Sequence, residues 1–209
     1  MQNVLLTGFE PFDKAAVNPS WEAVRQLDGV QLCEGVQIVA RCLPCAFATA
    51  AETLLQLINE LQPAMVIATG LGPGRSDISI ERVAINVNDA RIPDNLGAQP
   101  IDTSVVEGGP AAYFSTLPIK GMVKAVREAG IAASVSQTAG TFVCNQVFYR
   151  LQHALVGTGV RSGFIHVPGL PGSSEPSMVL STTVEGLRVA ALAAWQTQAD
   201  VVLAGGQIS

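Results

Sequence analysis

The chain has 209 residues and a formal net charge of −5, and 14% of its residues are charged while 48% are hydrophobic. An average globular protein carries about 25% charged residues, and disorder requires low hydrophobicity with high charge, so this composition excludes a disordered chain. The 12 Lys and Arg residues do not cluster into a basic face, which also excludes an electrostatic nucleic-acid binder.

The first residues predict a strand, with no targeting or membrane segment before it. The run Val4-Leu-Leu-Thr7 lacks the basic start and the long apolar core of a signal peptide. The longest uncharged stretch, 129–149, contains Gly, Ser, Thr, Gln and Asn and would insert poorly into a bilayer. Four Cys without an export signal predict free thiols in a reducing cytoplasm.

Short apolar runs alternate with helical patterns along the chain. In chain order, the predicted strands are 4–7, 36–41, 64–69, 131–136 and 163–167. The predicted helices are 19–27, 46–62, 119–129, 144–156 and 178–199. Asn18 caps the first helix, with Pro19 at its first position, and Pro or Gly ends three of the others. The alternation predicts one α/β domain over residues 1–209, built on a parallel sheet buried on both faces.

The segment 70–109 breaks this alternation. It holds a strand candidate at 78–85 and then about twenty residues rich in Asn, Asp, Pro and Gly, and a loop this long in a compact domain is usually functional. Open parallel sheets bind ligands beyond the carboxyl ends of their strands, so we expect the chemistry there. Gly70-Leu-Gly72-Pro-Gly74-Arg75 has the wrong spacing for a nucleotide-binding loop and predicts a tight turn that lines a pocket.

Two histidines make the search for a catalytic base short. His153 lies away from the apolar stripe of its predicted helix, which predicts a solvated surface residue. His166 lies at the carboxyl end of a predicted buried strand. Its imidazole is either a core group bonded to the backbone or a functional one.

Cys144 lies in Thr138-Ala-Gly-Thr-Phe-Val-Cys-Asn-Gln146, between a predicted strand and a predicted helix. At a helix N-terminus, unpaired backbone N–H groups and the helix dipole lower the pKa of a thiol and stabilise the thiolate. The small residues before Cys144 leave room for a substrate. The thiol is therefore either a nucleophile paired with His166 or an inert buried group.

A second cysteine motif, Cys42-Leu-Pro-Cys45, follows a predicted strand and precedes a predicted helix. This is the setting of a dithiol redox pair, although a lone C-x-x-C motif matches by chance often, and plain packing is the favoured interpretation. Cys33 shows no functional pattern. A zinc site is not predicted, because the scattered Cys and His supply no second ligand pair at a usual spacing.

Six collinear blocks of sequence, spread between residue 4 and about residue 168, carry a family resemblance. They are Gly8-Phe-Glu-Pro-Phe12, Asn18-Pro-Ser20, Glu81-Arg-Val-Ala-Ile-Asn-Val-Asn-Asp-Ala-Arg-Ile-Pro-Asp-Asn95, Gly109-Pro-Ala-Ala-Tyr-Phe-Ser-Thr-Leu-Pro-Ile-Lys120, Ala139-Gly-Thr-Phe-Val-Cys-Asn145 and Gly163-Phe-Ile-His-Val-Pro168. Together they are far more specific than any single motif. They resemble the pyroglutamyl peptidase I family of cysteine peptidases.

The resemblance implies an α/β/α sandwich that removes N-terminal pyroglutamate from peptides through a Cys–His–Glu triad, with no metal or cofactor. It assigns Cys144 as nucleophile, His166 as base and acid, and Glu81 as the carboxylate that orients the imidazole. The Cys144 backbone N–H and Arg91 are expected to meet the oxyanion. From the residues alone, Glu81 and Arg82 also fit exposed strand positions, and Arg91 also fits a loop salt bridge to Asp94. A homo-oligomer, dimer or tetramer, is implied as well.

Pyroglutamate is a small neutral lactam, so its pocket should be apolar with a few placed polar groups. The positions expected to line it are Phe9, Phe12, Asn18, Leu71, Phe142 and Val143. The Phe residues also fit ordinary core positions. Asn18, expected to reach the lactam, is at the same time the predicted helix cap.

Two departures from the family pattern lie near the expected pocket. Asp13 stands where the family usually has Gly, and Gly169-Leu-Pro-Gly-Ser-Ser-Glu-Pro176 replaces a Pro-Glu-Gln stretch. Both are expected to affect the loops beside the pocket and its leaving-group side. Two other functions stay open on the residues: a thiol–disulfide oxidoreductase using Cys42 and Cys45, and a non-catalytic small-molecule-binding domain.

Overall fold

A computed structural model describes residues 1–173 and 175–206, so Ser174 of the Gly-rich departure lies outside the described residues. The strands are β1 (Gln2–Phe9), β2 (Gln31–Cys33), β3 (Val36–Leu43), β4 (Met65–Leu71), β5 (Ile78–Glu81), β6 (Val83–Ile85), β7 (Ala112–Phe114), β8 (Ala133–Ser136) and β9 (Arg161–Val167). The helices are α1 (Pro19–Val24), α2 (Ala50–Leu61), α3 (Ile119–Glu128), α4 (Val143–Leu155) and α5 (Leu180–Gln196). A 3₁₀ turn, Arg25–Leu27, extends α1.

Seven strands form one sheet in the order β2-β3-β1-β4-β9-β5-β8. The central strands β3, β1, β4 and β9 are parallel to one another. Strands β5 and β8 are parallel to each other but run antiparallel to β9, and β2 is antiparallel to β3. The prediction of a mostly parallel sheet is confirmed, and the carboxyl ends of β1, β4 and β9 lie side by side at one edge.

Helices cover both faces of this sheet. Helices α1, α3 and α5 pack on one face, over a core that includes Val4, Leu6 and Ile165. Helices α2 and α4 pack on the other face, over a core that includes Leu5 and Phe164. Successive residues of the central strands therefore point to opposite cores, which explains their continuous apolar runs. The fold is an α/β/α sandwich.

The predicted single strand 78–85 is wrong as one element, because the chain changes sheets at Arg82. The Arg82 backbone N–H still donates to the carbonyl of Ser136, the last residue of β8 (2.9 Å), whereas the Arg82 carbonyl accepts from Ser115 N (2.9 Å). Strand β6 then pairs with β7 in a separate two-stranded sheet. Strands β2 and β7 span three residues each and present no long apolar run, so periodicity does not reveal them.

The long segment after β6 is fixed by polar contacts and is not a loose loop. Asn88 and Thr103 form a backbone bridge, with N–H to O distances of 2.7 and 3.0 Å. Helix α2 begins at Ala50, four residues later than predicted, because residues 46–49 form a turn instead. In the part of the chain that the structure describes, no helix has the length and apolar character needed to cross a membrane.

Candidate active site

A cavity of about 280 Å³ opens at the sheet edge where β1, β4 and β9 end. Phe9, Leu71 and His166 come from those three strand ends. The other lining residues come from the surrounding loops and the start of α4: Phe12, Asn18, Cys45, Pro73, Asp89, Arg91, Ile92, Ala139, Thr141, Phe142 and Cys144. The position agrees with the rule that open parallel sheets bind ligands at carboxyl ends.

Glu81 and His166 form a buried pair across two antiparallel strands. His166 faces Ser79 in the β5–β9 register, so Glu81, two residues further along β5, is its diagonal neighbour on the same face. The distance from His166 Nδ1 to Glu81 Oε1 is 2.7 Å, and the two side chains are 5% and 0% exposed. The interpretation of Glu81 as an exposed strand residue is therefore wrong. A carboxylate only accepts hydrogen bonds, so Nδ1 carries the proton and Nε2 is left as an acceptor.

Burial lowers the pKa of His166, and its hydrogen bond and charge attraction to Glu81 offset part of that effect. The side chain packs against Phe164, with ring centroids 4.8 Å apart. Removing the ring from water disfavours its charged form. At neutral pH the resting imidazole is therefore uncharged and able to accept a proton at Nε2.

Cys144 occupies the second position of α4, and its sulfur lies directly against the backbone of β4. A Cβ placed on Gly70 would lie 2.7 Å from Cys144 Sγ. Gly70 is the register partner of His166 in the β4–β9 pair. The missing side chain at residue 70 thus gives the thiol its place beside the strand that carries the imidazole.

The electrostatics of the thiol differ from the sequence-based expectation. Burial raises the pKa of Cys144, and the neighbouring Cys45 and Glu81 raise it further. Arg75 and the backbone N–H of Cys144 lower it but do not compensate. The prediction of a depressed thiol pKa from the helix start alone is wrong. The resting cavity therefore holds a neutral thiol and a neutral imidazole, so the thiol proton has to move during attack.

Gly70 gives a direct test of the sulfur's placement. Gly70→Ala should lower kcat/KM by at least about 10²-fold, because a displacement on the order of 1 Å of a reacting group has that cost. Gly121→Ala is the matched control, since its Cβ would meet neighbours at ordinary contact distances of 3.5–3.7 Å. Steady-state kinetics with thermal unfolding checks this prediction, and a folded Gly70→Ala protein with normal kcat/KM would contradict it.

Arg75 belongs to this site, although its sequence motif predicts only a tight turn there. Its Nη2 lies 3.0 Å from Glu81 Oε1 and donates to Thr138 O at 2.9 Å. The same carboxylate oxygen therefore contacts both the imidazole and a guanidinium. The pattern of a cation after a Gly-Pro-Gly turn, placed before the strand that carries Glu81, is the signal that would have revealed it.

Aromatic rings form a wall of the cavity. Phe142 contacts Phe12 and Phe47, with ring centroids 5.3 and 5.2 Å away, while Phe9 is buried at the end of β1. The prediction that Val143 lines the cavity is wrong, because Val143 is fully buried in the core between α4 and the sheet. In the first turn of α4 the Val143 side chain points into the core, whereas the neighbouring Phe142 and Cys144 line the cavity.

Asn18 lines the cavity and also caps α1, as predicted. Its Oδ1 accepts from the backbone N–H of Ser20 at 3.1 Å and from its hydroxyl at 2.8 Å. Its Nδ2 donates one hydrogen to Glu10 O at 3.0 Å. A primary amide has two hydrogens on this nitrogen, and the described residues supply an acceptor for one of them, which leaves the other available to a ligand.

The loop that carries Arg91 is held by Asp94. The buried Asp94 carboxylate accepts from the backbone N–H groups of Phe47, Leu96 and Ala98, at 2.7, 2.9 and 2.8 Å. Three amide donors occupy the carboxylate that a salt bridge to Arg91 would have used. Arg91 is instead an exposed cation that lines the cavity.

The remaining Cys and His candidates show no catalytic geometry. Burial and Glu10 raise the pKa of Cys42 to about 11, and burial with Glu10 and Asp94 raises that of Cys45 to about 12. A dithiol redox motif places its reactive thiol at a helix N-terminus, whereas α2 begins at Ala50, five residues after Cys45, so this position opposes the oxidoreductase interpretation. His153 is exposed, as predicted, and its Nδ1 lies 2.8 Å from the Tyr113 hydroxyl.

A thiol, an imidazole held by a buried carboxylate and an adjoining apolar cavity are the requirements for acyl transfer through a cysteine. On an α/β/α sandwich this combination defines the class of cysteine hydrolases. Comparison with known proteins narrows the class: the family model described as pyroglutamyl peptidase matches residues 2–197. The chain belongs to the pyroglutamyl peptidase family.

Individual relatives and solved structures agree with this assignment. The chain is 76% identical to a pyrrolidone-carboxylate peptidase of Pseudomonas fluorescens, over 100% of both chains. It is 58% identical to a pyrrolidone-carboxylate peptidase of Cupriavidus necator, again over 100% of both. The crystal structure of pyroglutamyl peptidase I from Bacillus amyloliquefaciens superposes with a TM-score of 0.94 at 43% identity, covering 98% of this chain and 100% of that one.

Proposed function

We propose that this protein hydrolyses the amide bond that follows an N-terminal pyroglutamyl residue, with Cys144 as nucleophile, His166 as base and acid, and Glu81 as the orienting carboxylate. The observation that carries this proposal is the 2.7 Å contact between His166 and Glu81 at the cavity that Cys144 also lines. The names of the relatives, pyrrolidone-carboxylate peptidases and pyroglutamyl peptidases, support the choice of substrate.

The neutral resting state determines how the reaction starts. As Cys144 Sγ attacks the scissile carbonyl, Nε2 of His166 accepts the thiol proton. Glu81 then stabilises the imidazolium through Nδ1, as the third member of a triad does. The imidazolium donates its proton to the departing amine, which leaves a thioester on Cys144. Water, deprotonated by His166, hydrolyses the thioester and releases pyroglutamate.

The negative charge on the carbonyl oxygen needs donors placed in advance. The backbone N–H of Cys144 belongs to the first turn of α4, where it has no partner within the helix. Arg91 lines the same cavity and supplies a positive charge. Both groups are proposed to meet the oxyanion, an arrangement that contributes several kcal/mol in known enzymes, about 3 kcal/mol for one donor.

The cavity suits a small neutral ring with few polar atoms. Phe9, Phe12, Phe142 and Leu71 present apolar surface. The free hydrogen on Asn18 Nδ2 is proposed to meet the ring carbonyl of the lactam. Such a pocket, mostly apolar with a placed donor, selects a ligand by the match of its polar groups.

The proposed function is tested by incubating the purified protein with a pyroglutamyl aminomethylcoumarin amide and with a pyroglutamyl peptide. With the coumarin amide, we expect the fluorophore and free pyroglutamate to be released in equal amounts. With the peptide, we expect free pyroglutamate and a product that is shorter by one residue. A folded protein that releases neither would overturn the proposal. A protein that binds pyroglutamyl peptides without cleaving them would favour the non-catalytic binding domain.

We further propose that the chain acts as one domain in a cytoplasmic homo-oligomer, a dimer or tetramer. One sheet with cores on both faces supports a single domain. Exposed Phe114 and Val156 line one surface depression together with Leu155 and Val160, and a contiguous apolar surface supports self-association. The free thiols of Cys33, Cys42, Cys45 and Cys144 suit a reducing compartment.

A further inference from the structure

We propose that Arg75 is a positioning residue of the reaction: it holds the Glu81 carboxylate and balances its charge, so that His166 remains a neutral base. This inference rests on the proposed function for its consequence in catalysis. Arg75 itself touches Glu81 and Thr138 and not the cavity surface. It therefore acts on the substrate only through the carboxylate and the imidazole.

The turn between β4 and β5 is shaped to bring Arg75 back to the strand that follows. Arg75 N donates to Gly72 O at 3.1 Å, and Gly74 has a φ of +79°. A Cβ on Gly72 would lie 2.5 Å from Arg75 Cδ and 2.9 Å from its Nε. The side chain thus folds across residue 72, and only a glycine leaves room for it there.

Two contacts fix the guanidinium at the end of this path. Nη2 lies 3.0 Å from Glu81 Oε1 and donates to Thr138 O at 2.9 Å, in the loop between β8 and α4. A fully buried carboxylate requires a compensating cation, because the cost of removing it from water is several kcal/mol otherwise. Arg75 supplies that cation, which leaves the neutral imidazole to hold only a hydrogen bond.

The charge balance of the site makes the inference measurable. The charged and titratable groups that face the pair from the surrounding elements are Arg75, Cys144, Cys45, Asp89 and Arg91. Arg75 lowers the pKa of His166, whereas Glu81 raises it. Arg75, Glu81 and neutral His166 sum to zero charge. Without Arg75 the sum is −1, so the Glu81–His166 pair takes up a proton at higher pH and the base is lost sooner on acidification.

The chain offers a clean readout, because it contains only two histidines. In a His153→Gln background, proton NMR follows the titration of His166 alone, whether or not the protein hydrolyses anything. We expect Arg75→Gln to raise the His166 midpoint by about one pH unit, the usual size of a neighbouring-charge effect. The pH midpoint of the acid limb of the kcat/KM profile should move up by the same amount. Arg75→Lys, which keeps the charge, should restore most of the original midpoint.

Arg82→Gln is the matched control. The Arg82 guanidinium also bonds a side chain and a backbone carbonyl, Gln137 at 2.8 Å and Gly205 at 3.4 Å, but the ion pairs of Glu81 are with Arg75 and His166 and not with Arg82. The His166 titration midpoint in Arg82→Gln should equal that in the parent protein. A folded Arg75→Gln protein with an unchanged or lowered His166 midpoint would overturn the inference, and so would an equal rise in Arg82→Gln.

A second variant keeps the inference testable if Arg75→Gln does not fold. Gly72→Ala keeps the guanidinium but pushes its side chain away from Glu81, and the obstructing atoms belong to a flexible side chain. The His166 midpoint should rise in this variant too, and an unchanged midpoint would contradict the role of Arg75. Because NMR reports the titration without turnover, a parent protein with the expected midpoint and no peptidase activity would count against the proposed function alone.

Discussion

Replacing Cys144 with Ala should lower kcat for pyroglutamyl amides by on the order of 10⁶-fold, because a catalytic nucleophile has no substitute in its site. His166→Ala should cost nearly as much. The double variant should be no worse than either single one, since members of a catalytic unit are strongly non-additive. Glu81→Gln keeps the nucleophile and the base and should cost less, about 10²–10⁴-fold. Initial rates at protein concentrations set by absorbance, with thermal unfolding as the check on folding, measure all four.

The controls for this series come from the same residue types. Cys33 and Cys42 do not line the cavity, so Cys33→Ser and Cys42→Ser should retain full activity. His153 is exposed and bonded to Tyr113, so His153→Ala should leave the activity nearly unchanged. If a folded His153→Ala protein is inactive and His166→Ala is active, the assignment of the base is reversed. Activity lost with Cys42→Ser and kept with Cys144→Ser would favour dithiol chemistry instead.

Pyroglutamyl amides should be cleaved at least about 10⁴-fold faster than matched prolyl amides, as expected where a buried hydrogen-bonding site is left unpaired. Proline has the same ring size but lacks the ring carbonyl, so Asn18 loses its partner. Its ring nitrogen is cationic at neutral pH, and the walls of Phe9, Phe12 and Phe142 offer no compensation for burying that charge.

The electrostatics of the cavity mouth do not change this expectation. In the described part of the chain, Asp89 is the one carboxylate among the cavity-lining residues, and it is exposed. An exposed ion pair contributes little, about 0–1 kcal/mol.

Asn18→Ala should lower kcat/KM for the pyroglutamyl amide and so narrow the ratio of pyroglutamyl to prolyl cleavage. The unfolding free energy should fall by about 1 kcal/mol because the helix cap is lost. Equal cleavage of the two amides by the parent protein would refute the lactam pocket.

The sequence was sufficient for the central part of the fold because its signals there are local. Buried parallel strands give continuous apolar runs, and Asn18-Pro19 marks the start of α1. The sequence pattern does not predict strands β2 and β7, because each is only three residues long. It predicts β5 and β6 as a single strand, because the change of sheet at Arg82 depends on partners distant in sequence. Periodicity does not register a change of partner.

The candidate site shows the same division. Cys144 and His166 stand at the start of a helix and the end of a strand, positions that sequence patterns indicate, and the family resemblance added Glu81. Arg75 was missed because its role depends on a turn that folds the side chain back toward Glu81. The direction of the Cys144 pKa shift was wrong because burial and the nearby Cys45 and Glu81 are three-dimensional facts. A helix start supplies only one of the contributions.

Labelling with pyroglutamyl chloromethyl ketone tests the central claim most directly, since the reagent carries the lactam and alkylates the thiol beside which that ring is bound. Cys45 lines the same cavity as Cys144, so peptide mapping discriminates between two thiols in one site. We predict one label per chain, located on Cys144, with loss of activity in proportion and no labelling by the prolyl analogue. A label located on Cys45, spread over the four cysteines, or equally fast with the prolyl reagent would contradict the account.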